Sequence, residues 1–140
     1  MRLYSVGGVL LREWSAEILG TEQINGIAVL KGTIYLTDKF NHRVTMSTTN
    51  GTHRIQWGSE GTAEGQLREP SAIAAVGSNV YVTDTGNNRV QMFSLAGTFI
   101  TTWGIEGIGE SKFRRPIGID VGQSRVYVVD SGIIRFKCLH

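Results

Sequence analysis

The side chains with the clearest capacity for chemistry are aspartates and arginines that recur at one spacing. Three aspartates stand 46 residues apart, and an arginine follows each of them five residues later: Asp38 with Arg43, Asp84 with Arg89, and Asp130 with Arg135. Such a set could form a ring of charged ligands. Alternatively, the aspartate accepts hydrogen bonds from the N–H groups of a turn, and the arginine pairs with it or with turn carbonyls. Because the pairs are identical in every copy, we favour the structural role.

Other signals for catalysis or for metal binding are sparse. The single cysteine, Cys138, rules out an intrachain disulfide. Three histidines are present, and they are widely separated: His42, His53 and His140. The glycine-rich segments at 58–61 and 104–107 lack the lysine and the following helix of a phosphate-binding loop. The sequence therefore predicts no catalytic residue, no metal site and no cofactor.

The elements that must position these residues belong to an internal repeat. Four features recur in steps of 46 residues: Tyr-x-x-Asp, an Arg followed by an apolar residue, Trp-Gly, and a proline. A fixed period in this range indicates a repeat architecture. Within one unit, residues 73–76, 80–83, 89–93 and 98–103 have the composition or alternation of β-strands and are separated by turn signals. We label them a, b, c and d, in chain order.

Four short antiparallel strands in about 46 residues are typical of one blade of a β-propeller. The predicted fold is all-β, a single partial propeller over 1–140 that comprises strands c–d (1–23), two full blades (24–69 and 70–115), and strands a–b–c (116–140). The repeat lengths of Kelch and WD40 propellers would also fit a period of about 46 residues. Identity across repeats also favours packing between blades for Trp57 and Trp103.

The middle unit closely resembles the NHL repeat, over residues 70–76, 80–93 and 97–99, and the segment 103–121 continues the pattern. The third unit departs from it, because Ile133 and Ile134 replace the two asparagines of the turn. The resemblance implies a six-bladed propeller, which would need about twice the present length. A propeller lyase or lactonase holds Ca²⁺ or Zn²⁺ in its central channel, which requires several carboxylates, asparagines or histidines there. Here Asp120 is the one polar residue expected on strand a.

Three units in an arc leave two sheet faces bare. At about 400 Å² of apolar area each, such a face would forgo on the order of 10 kcal/mol at roughly 25 cal/mol/Å². We therefore expect two copies to close a six-bladed ring as a homodimer, although Met1–Val6 and Phe136–Leu139 then compete for the same strand-c position. The alternative is a piece of a longer propeller.

The expected function is that of a non-catalytic scaffold that binds another protein. The resemblance implies a binding surface on the face formed by the b–c turns and the d–a loops, and in some relatives that surface binds single-stranded RNA. A metal-dependent enzyme is a further, weaker alternative. The residues expected to contact a partner are Lys39, Phe40, His42, Arg68, Asn87, Asn88, Lys112, Arg114 and Arg115.

Charge and composition bear on the kind of partner and on the cellular location. The net charge of +2 is too small to indicate nucleic acid by itself, and glutamates such as Glu60, Glu64 and Glu110 balance the basic side chains. Protein binding is therefore favoured over RNA. The longest apolar runs are too short for a membrane span, and the first residues lack the apolar core of a signal peptide. We expect a cytoplasmic protein with no membrane contact.

Overall fold

A computed structural model describes the chain apart from seven residues: Glu22, His53, Ile108, Ser111, Ile133, Ile134 and His140. For five further residues it describes the backbone only: Ala16, Arg135, Phe136, Lys137 and Leu139. The substitution of isoleucines for the turn asparagines in the third unit, and the side chains of His53 and His140, thus lie outside the described residues.

The first half of the chain forms a hairpin, one short helix and a four-stranded sheet. The N-terminal hairpin pairs β1 with β2, and the first full sheet has the antiparallel order β3-β4-β5-β6. The bounds are β1 Arg2–Tyr4, β2 Leu10–Glu13, α1 Ala16–Leu19, β3 Ile24–Leu30, β4 Thr33–Asp38, β5 Arg43–Thr48 and β6 Arg54–Trp57.

The second half repeats this plan. The second full sheet has the order β7-β8-β9-β10, a 3₁₀ turn at Thr85–Asn87 joins β8 to β9, and the third sheet has the order β13-β14-β15. Between these two sheets, β11 and β12 form a short parallel ladder. The bounds are β7 Pro70–Val76, β8 Asn79–Asp84, β9 Arg89–Ser94, β10 Phe99–Trp103, β11 Ile105–Glu106, β12 Lys112–Phe113, β13 Pro116–Gly122, β14 Arg125–Asp130 and β15 Arg135–Leu139.

The all-β prediction is confirmed, with several antiparallel sheets in chain order. Helix α1 was not expected; it lies in the connection that is three residues shorter than its later equivalents. No helix in the described part of the chain is long and apolar enough to cross a bilayer. The described sheets do not close into a ring, and the homodimer therefore stays a prediction.

The innermost strands of the three sheets lie side by side, with β7 between β3 and β13. Each of them carries a register shift near its start, opposite the end of the neighbouring strand b. In the first full sheet the Thr37 hydroxyl fills this irregularity: it accepts from Gly26 N at 2.7 Å and donates to Ser71 O at 2.8 Å. Since Ser71 belongs to β7, this hydrogen bond also joins the two sheets.

The apolar core lies between sheets, in three layers. The central layer, between the two full sheets, contains Tyr35, Val44, Leu67, Ile73, Val80, Val82 and Phe93. The layer between the hairpin and the first full sheet contains Trp14, Leu19, Ile34 and Leu36. The layer that covers the third sheet contains Val90, Phe113, Val126 and Val128. Burial of apolar surface between successive sheets is the main term that stabilises such a stack.

Candidate partner-binding face

The turns after β4, β8 and β14 and the connections that enter β3, β7 and β13 lie at the same end of the sheets, and we call this end the loop face. At the centre of the loop face, the side chain of Asp84 accepts several hydrogen bonds. The buried carboxylate accepts hydrogen bonds from Arg68 N at 2.7 Å, Arg89 Nε at 2.6 Å, Asn87 Nδ2 at 2.9 Å and Gln91 Nε2 at 3.0 Å. Four donors around one buried carboxylate satisfy it well.

Arg89 extends this network into the connection between the two full sheets. Its guanidinium donates to Thr62 O at 2.9 Å and to Ala63 O and Gln66 O at 2.8 Å each. Asn87 adds a hydrogen bond to Gly61 O at 2.8 Å. The aspartate and arginine of this unit therefore hold a long loop in place.

The corresponding cluster in the first full sheet is looser. Asp38 accepts from Asn41 Nδ2 at 2.9 Å and from an Arg43 nitrogen at 3.5 Å, and the same nitrogen donates to Gly20 O at 2.8 Å. In the third sheet Asp130 accepts from Arg114 N at 3.0 Å. The Arg135 side chain lies outside the described residues.

Two residues of the loop face cap the backbone of the next unit. His42 Nδ1 accepts from Glu69 N at 3.0 Å, and the repeat equivalent Asn88 accepts from Arg115 N through Oδ1 at 2.8 Å. All four residues have positive φ, between 47° and 68°. His42 and Asn88, expected to contact a partner, thus each have an acceptor engaged in joining neighbouring sheets.

Phe40 breaks the repeat at a position where the other two units have glycine. A Cβ at Gly86 or at Gly132 would collide with the main chain of Arg68 or of Arg114, because the preceding connection passes close by. The structure places Phe40 in the turn after β4 with 64% of its surface exposed. An aromatic ring on a turn, outside every described core layer, is available for contact.

The charged side chains of the loop face differ between the two joints that link successive sheets. At the first joint, between the two full sheets, Lys39 pairs with Glu69 at 3.7 Å and His42 Nε2 lies 4.0 Å from Glu60. At the second joint, between the second full sheet and the third sheet, no ion pair involving Arg68, Arg114 or Arg115 is present within the described residues. Lys112 is exposed on β12.

A cleft of about 300 Å³ opens on the loop face at the second joint, and we call it the second-joint cleft. Sequence reasoning identified some of its residues and missed Glu69, Thr85 and Gly86. Glu69 and Arg115 are repeat equivalents of opposite charge, a signal that the 46-residue alignment already contains. The lining residues are Arg68, Glu69, Thr85, Gly86, Asn88 and Arg115.

The two repeated tryptophans pack within the sheets and between them. Trp57 lies 6.3 Å from the Tyr35 ring and 6.0 Å from the Phe93 ring, and it covers the backbone of Gly97 in the second full sheet. Trp103 stacks on Tyr81 with an interplanar angle of 10°. Both rings thus contribute to packing, and Trp57 does so across the first joint.

The described residues contain no group of three or more His, Cys, Asp or Glu side chains close enough to hold a metal ion. Asp120, the polar residue of β13, is exposed and accepts a hydrogen bond from Val121 N at 2.8 Å. It borders a cleft of about 260 Å³ whose other lining residues are Ile119, Tyr127, Val128 and Val129.

No protein-family model matches the chain, and no curated protein matches its sequence. Solved structures do resemble its fold. A chain of a nidogen/laminin complex superposes with a TM-score of 0.67 at 25% identity, covering 85% of this chain and 44% of that one. A structural genomics protein of unknown function from Bacteroides thetaiotaomicron gives a TM-score of 0.66 at 19% identity, covering 89% and 34%. Streptogramin B lyase gives 0.56 at 13% identity, covering 82% and 39%.

These neighbours are propeller-type proteins, and the chain spans less than half the length of each. Together with the side-by-side inner strands and the core layers between sheets, the likeness defines the chain as all-β and propeller-like. The loop face of this propeller-like fold combines a repeated structural network with side chains that depart from the repeat.

Proposed function

We propose that the chain is an NHL-type propeller scaffold without catalytic activity, which binds another protein through its loop face. The NHL assignment rests on the residue pattern of the middle unit. The functional part rests on one observation above the others: Phe40 is 64% exposed in a turn where the other two units have glycine. Exposed aromatic residues with charged neighbours are typical centres of protein interfaces.

The structure around Phe40 supports binding rather than packing. Its neighbours Lys39 and Asn41 are polar, and Lys39 is fixed by its ion pair with Glu69. The ring is absent from all three core layers. Removal of the ring should therefore leave folding unchanged, whereas loss of an aromatic anchor from an interface weakens binding by about 2 kcal/mol, on the order of thirtyfold.

RNA is the second candidate, supported by Arg68, Arg114 and Arg115, which have no ion pair among the described residues. Two observations favour protein. Glu60 and Glu69 lie on the same face and reduce its positive charge. Binding of single strands without sequence preference also needs aromatic platforms for successive bases, and Phe40 is the one exposed aromatic residue of the described loop face.

The test compares Phe40→Ala with Ile100→Ala in affinity purification from extracts of the source cells, with quantification by mass spectrometry. Ile100 is 46% exposed at the start of β10, at the opposite end of the sheets from the loop face. We expect the wild type and Ile100→Ala to retain the same protein, and Phe40→Ala to lose it.

Equal retention by both variants would contradict a partner-binding role for Phe40. Recovery of RNA whose binding falls steeply with salt would favour the second candidate. Stoichiometric metal in the purified protein, found by elemental analysis, would contradict the non-catalytic assignment and support a metal-dependent enzyme.

We also propose that a second copy of the chain completes the ring. The N-terminal hairpin supports this idea, because its side chains Leu3, Tyr4, Leu10 and Leu11 are each more than 40% exposed, and apolar patches of this kind mark interfaces. Light scattering at micromolar concentration should give twice the 15.3 kDa of one chain. A mass of 15.3 kDa would show that the hairpin is not covered by a second copy.

A further inference from the structure

The second-joint cleft contains two arginine side chains with no carboxylate within 4 Å among the described residues. Arg68 comes from the connection that enters β7, and Arg115 from the connection that enters β13. The two arginines that line the cleft therefore belong to connections that enter different sheets. Glu69 also lines the cleft, but its carboxylate is paired with Lys39 at the first joint.

A third donor is fixed in the same cleft. Because Asn88 Oδ1 accepts the hydrogen bond from Arg115 N, the orientation of the amide is determined and its Nδ2 group has no partner among the described residues. At the floor, Thr85 is buried, and its hydroxyl lies 2.6 Å from Pro116 O and 2.8 Å from Ser71 Oγ. The contact with Pro116 joins the second full sheet to the third, and the contact with Ser71 lies within the second full sheet, so Thr85 is held on two sides.

The first joint shows what the repeat looks like without this feature. Glu69 stands there at the position of Arg115, also with a positive φ, and Lys39 pairs with its carboxylate. Phe40 occupies the place of Gly86, the glycine that opens the second-joint cleft. Within the described part of the chain, the accumulation of unpaired donors therefore occurs at the second joint and not at the first.

We propose that the second-joint cleft binds the side-chain carboxylate of an aspartate or glutamate on the protein partner. This inference rests on the proposed function of the loop face. Each guanidinium group can bind a carboxylate through two N–H donors. The Asn88 amide adds a third donor group. Four of the six lining residues are exposed, so the cleft is open enough for the side chain of a chain segment that passes over it.

A side-chain carboxylate fits the cleft better than an RNA phosphate. None of the six lining residues is aromatic, so the cleft offers no platform on which a base could stack. The Glu69 carboxylate at its border would also repel the next phosphate of a strand, whereas a single carboxylate can enter between the arginines.

The test titrates the full-length chain with two capped pentapeptides, acetyl-Gly-Gly-Glu-Gly-Gly-amide and its glutamine counterpart, followed by amide chemical shifts in NMR. The glutamate peptide should move the Asn88 side-chain amide and the Arg115 amide in a saturable manner, with affinity falling as salt is added. The glutamine peptide should bind at least about tenfold more weakly, since it lacks the charge that strengthens the hydrogen bonds.

Two variants with the same change in charge locate the effect. Arg115→Glu should abolish the shifts, and Glu69 shows that glutamate is accommodated at this repeat position with positive φ. Arg125→Glu is the matched control, because Arg125 is exposed at the start of β14, at the opposite end of the sheet from the loop face, and does not line the cleft. It should keep the affinity within about twofold, a small change typical of an exposed charge.

Equal binding of the two peptides, or equal losses in the two variants, would overturn the proposal. Tighter binding of a mixed single-stranded RNA oligomer, with shifts at Arg114 and Lys112, would overturn it in favour of RNA. If the glutamate peptide fails while Phe40→Ala still loses a partner, the scaffold function stands and the cleft assignment is wrong. If the glutamate peptide binds but no partner depends on Phe40, the cleft assignment stands and the role of Phe40 in partner binding is wrong.

Discussion

The turn after β4 in the first full sheet and the turn after β8 in the second occupy the same repeat position, yet they differ in how tightly they are held. Around Asp84 the Arg89 Nε approaches to 2.6 Å and three further donors converge, whereas around Asp38 the nearest Arg43 nitrogen is 3.5 Å away. The tighter turn has glycine where the looser turn has the exposed Phe40.

The difference separates residues that maintain the repeat from residues that are free to change. Where the aspartate network is complete, the connection from the previous sheet passes so close that only glycine fits at position 86. Where the connection is three residues shorter and includes α1, the turn accommodates the large and exposed side chain of Phe40. Departures from the repeat, rather than its repeated charges, are therefore the candidates for binding.

The largest expected effect is on stability, from removal of either aspartate. Asp84→Ala should lower the free energy of unfolding by about 3–5 kcal/mol, because it leaves Arg89 largely buried without its counter-charge. Asp38→Ala should cost about 1–2 kcal/mol, since Arg43 is more exposed and its contact is longer. Urea unfolding measures both values.

Asp84→Asn, which keeps the shape and one acceptor oxygen, should fall between the wild type and Asp84→Ala. Similar losses for Asp84→Ala and Asp38→Ala would show that the two turns are equivalent in energy and would remove the basis of the comparison.

A smaller effect, on stability at alkaline pH, is expected at the first joint but not at the second. Tyr35 is 2% exposed, its hydroxyl donates to Leu95 O in the second full sheet at 3.3 Å, and burial raises its pKa above the ordinary value near 10. The native state therefore retains the phenolic proton after the unfolded chain has lost it. The stabilisation is complete below pH 10 and decreases as the pH rises above it, by less than about 1.4 kcal/mol per pH unit.

Stability curves measured between pH 9 and pH 11 test this expectation. Tyr35→Phe should flatten the alkaline decrease, whereas Tyr81→Phe, at the same position of the next repeat, should leave it in place. A decrease that persists unchanged in Tyr35→Phe would mean that another group causes it.

Much of the fold could be predicted from the sequence because its signals are local. The alternation in residues 80–83 and 89–93 and the turn between them correspond to β8 and β9. Helix α1 was missed because four residues are too few for a helical period, and the β11–β12 ladder because its pairing lies within a glycine-rich connection. Neither feature has a pattern that propensity alone can reveal.

The candidate site was harder to predict, since it depends on contacts between units. The sequence indicated Phe40, Arg68 and Arg115 as departures or exposed charges, and the structure brings the two arginines to one cleft. It gave no sign that His42 and Asn88 cap the next unit, because that contact joins residues 27 positions apart on different sheets. Their roles emerge only when the sheets are packed.

The register shift near the start of β3, β7 and β13 has a consequence for how such a chain can change in length. The same irregularity recurs in each innermost strand at one repeat position, so each sheet meets its neighbour through the same local geometry. Gain or loss of whole units therefore leaves the geometry between successive sheets unchanged. Insertion of a single residue into an innermost strand would exchange its inward and outward side chains and misalign every later unit around the axis.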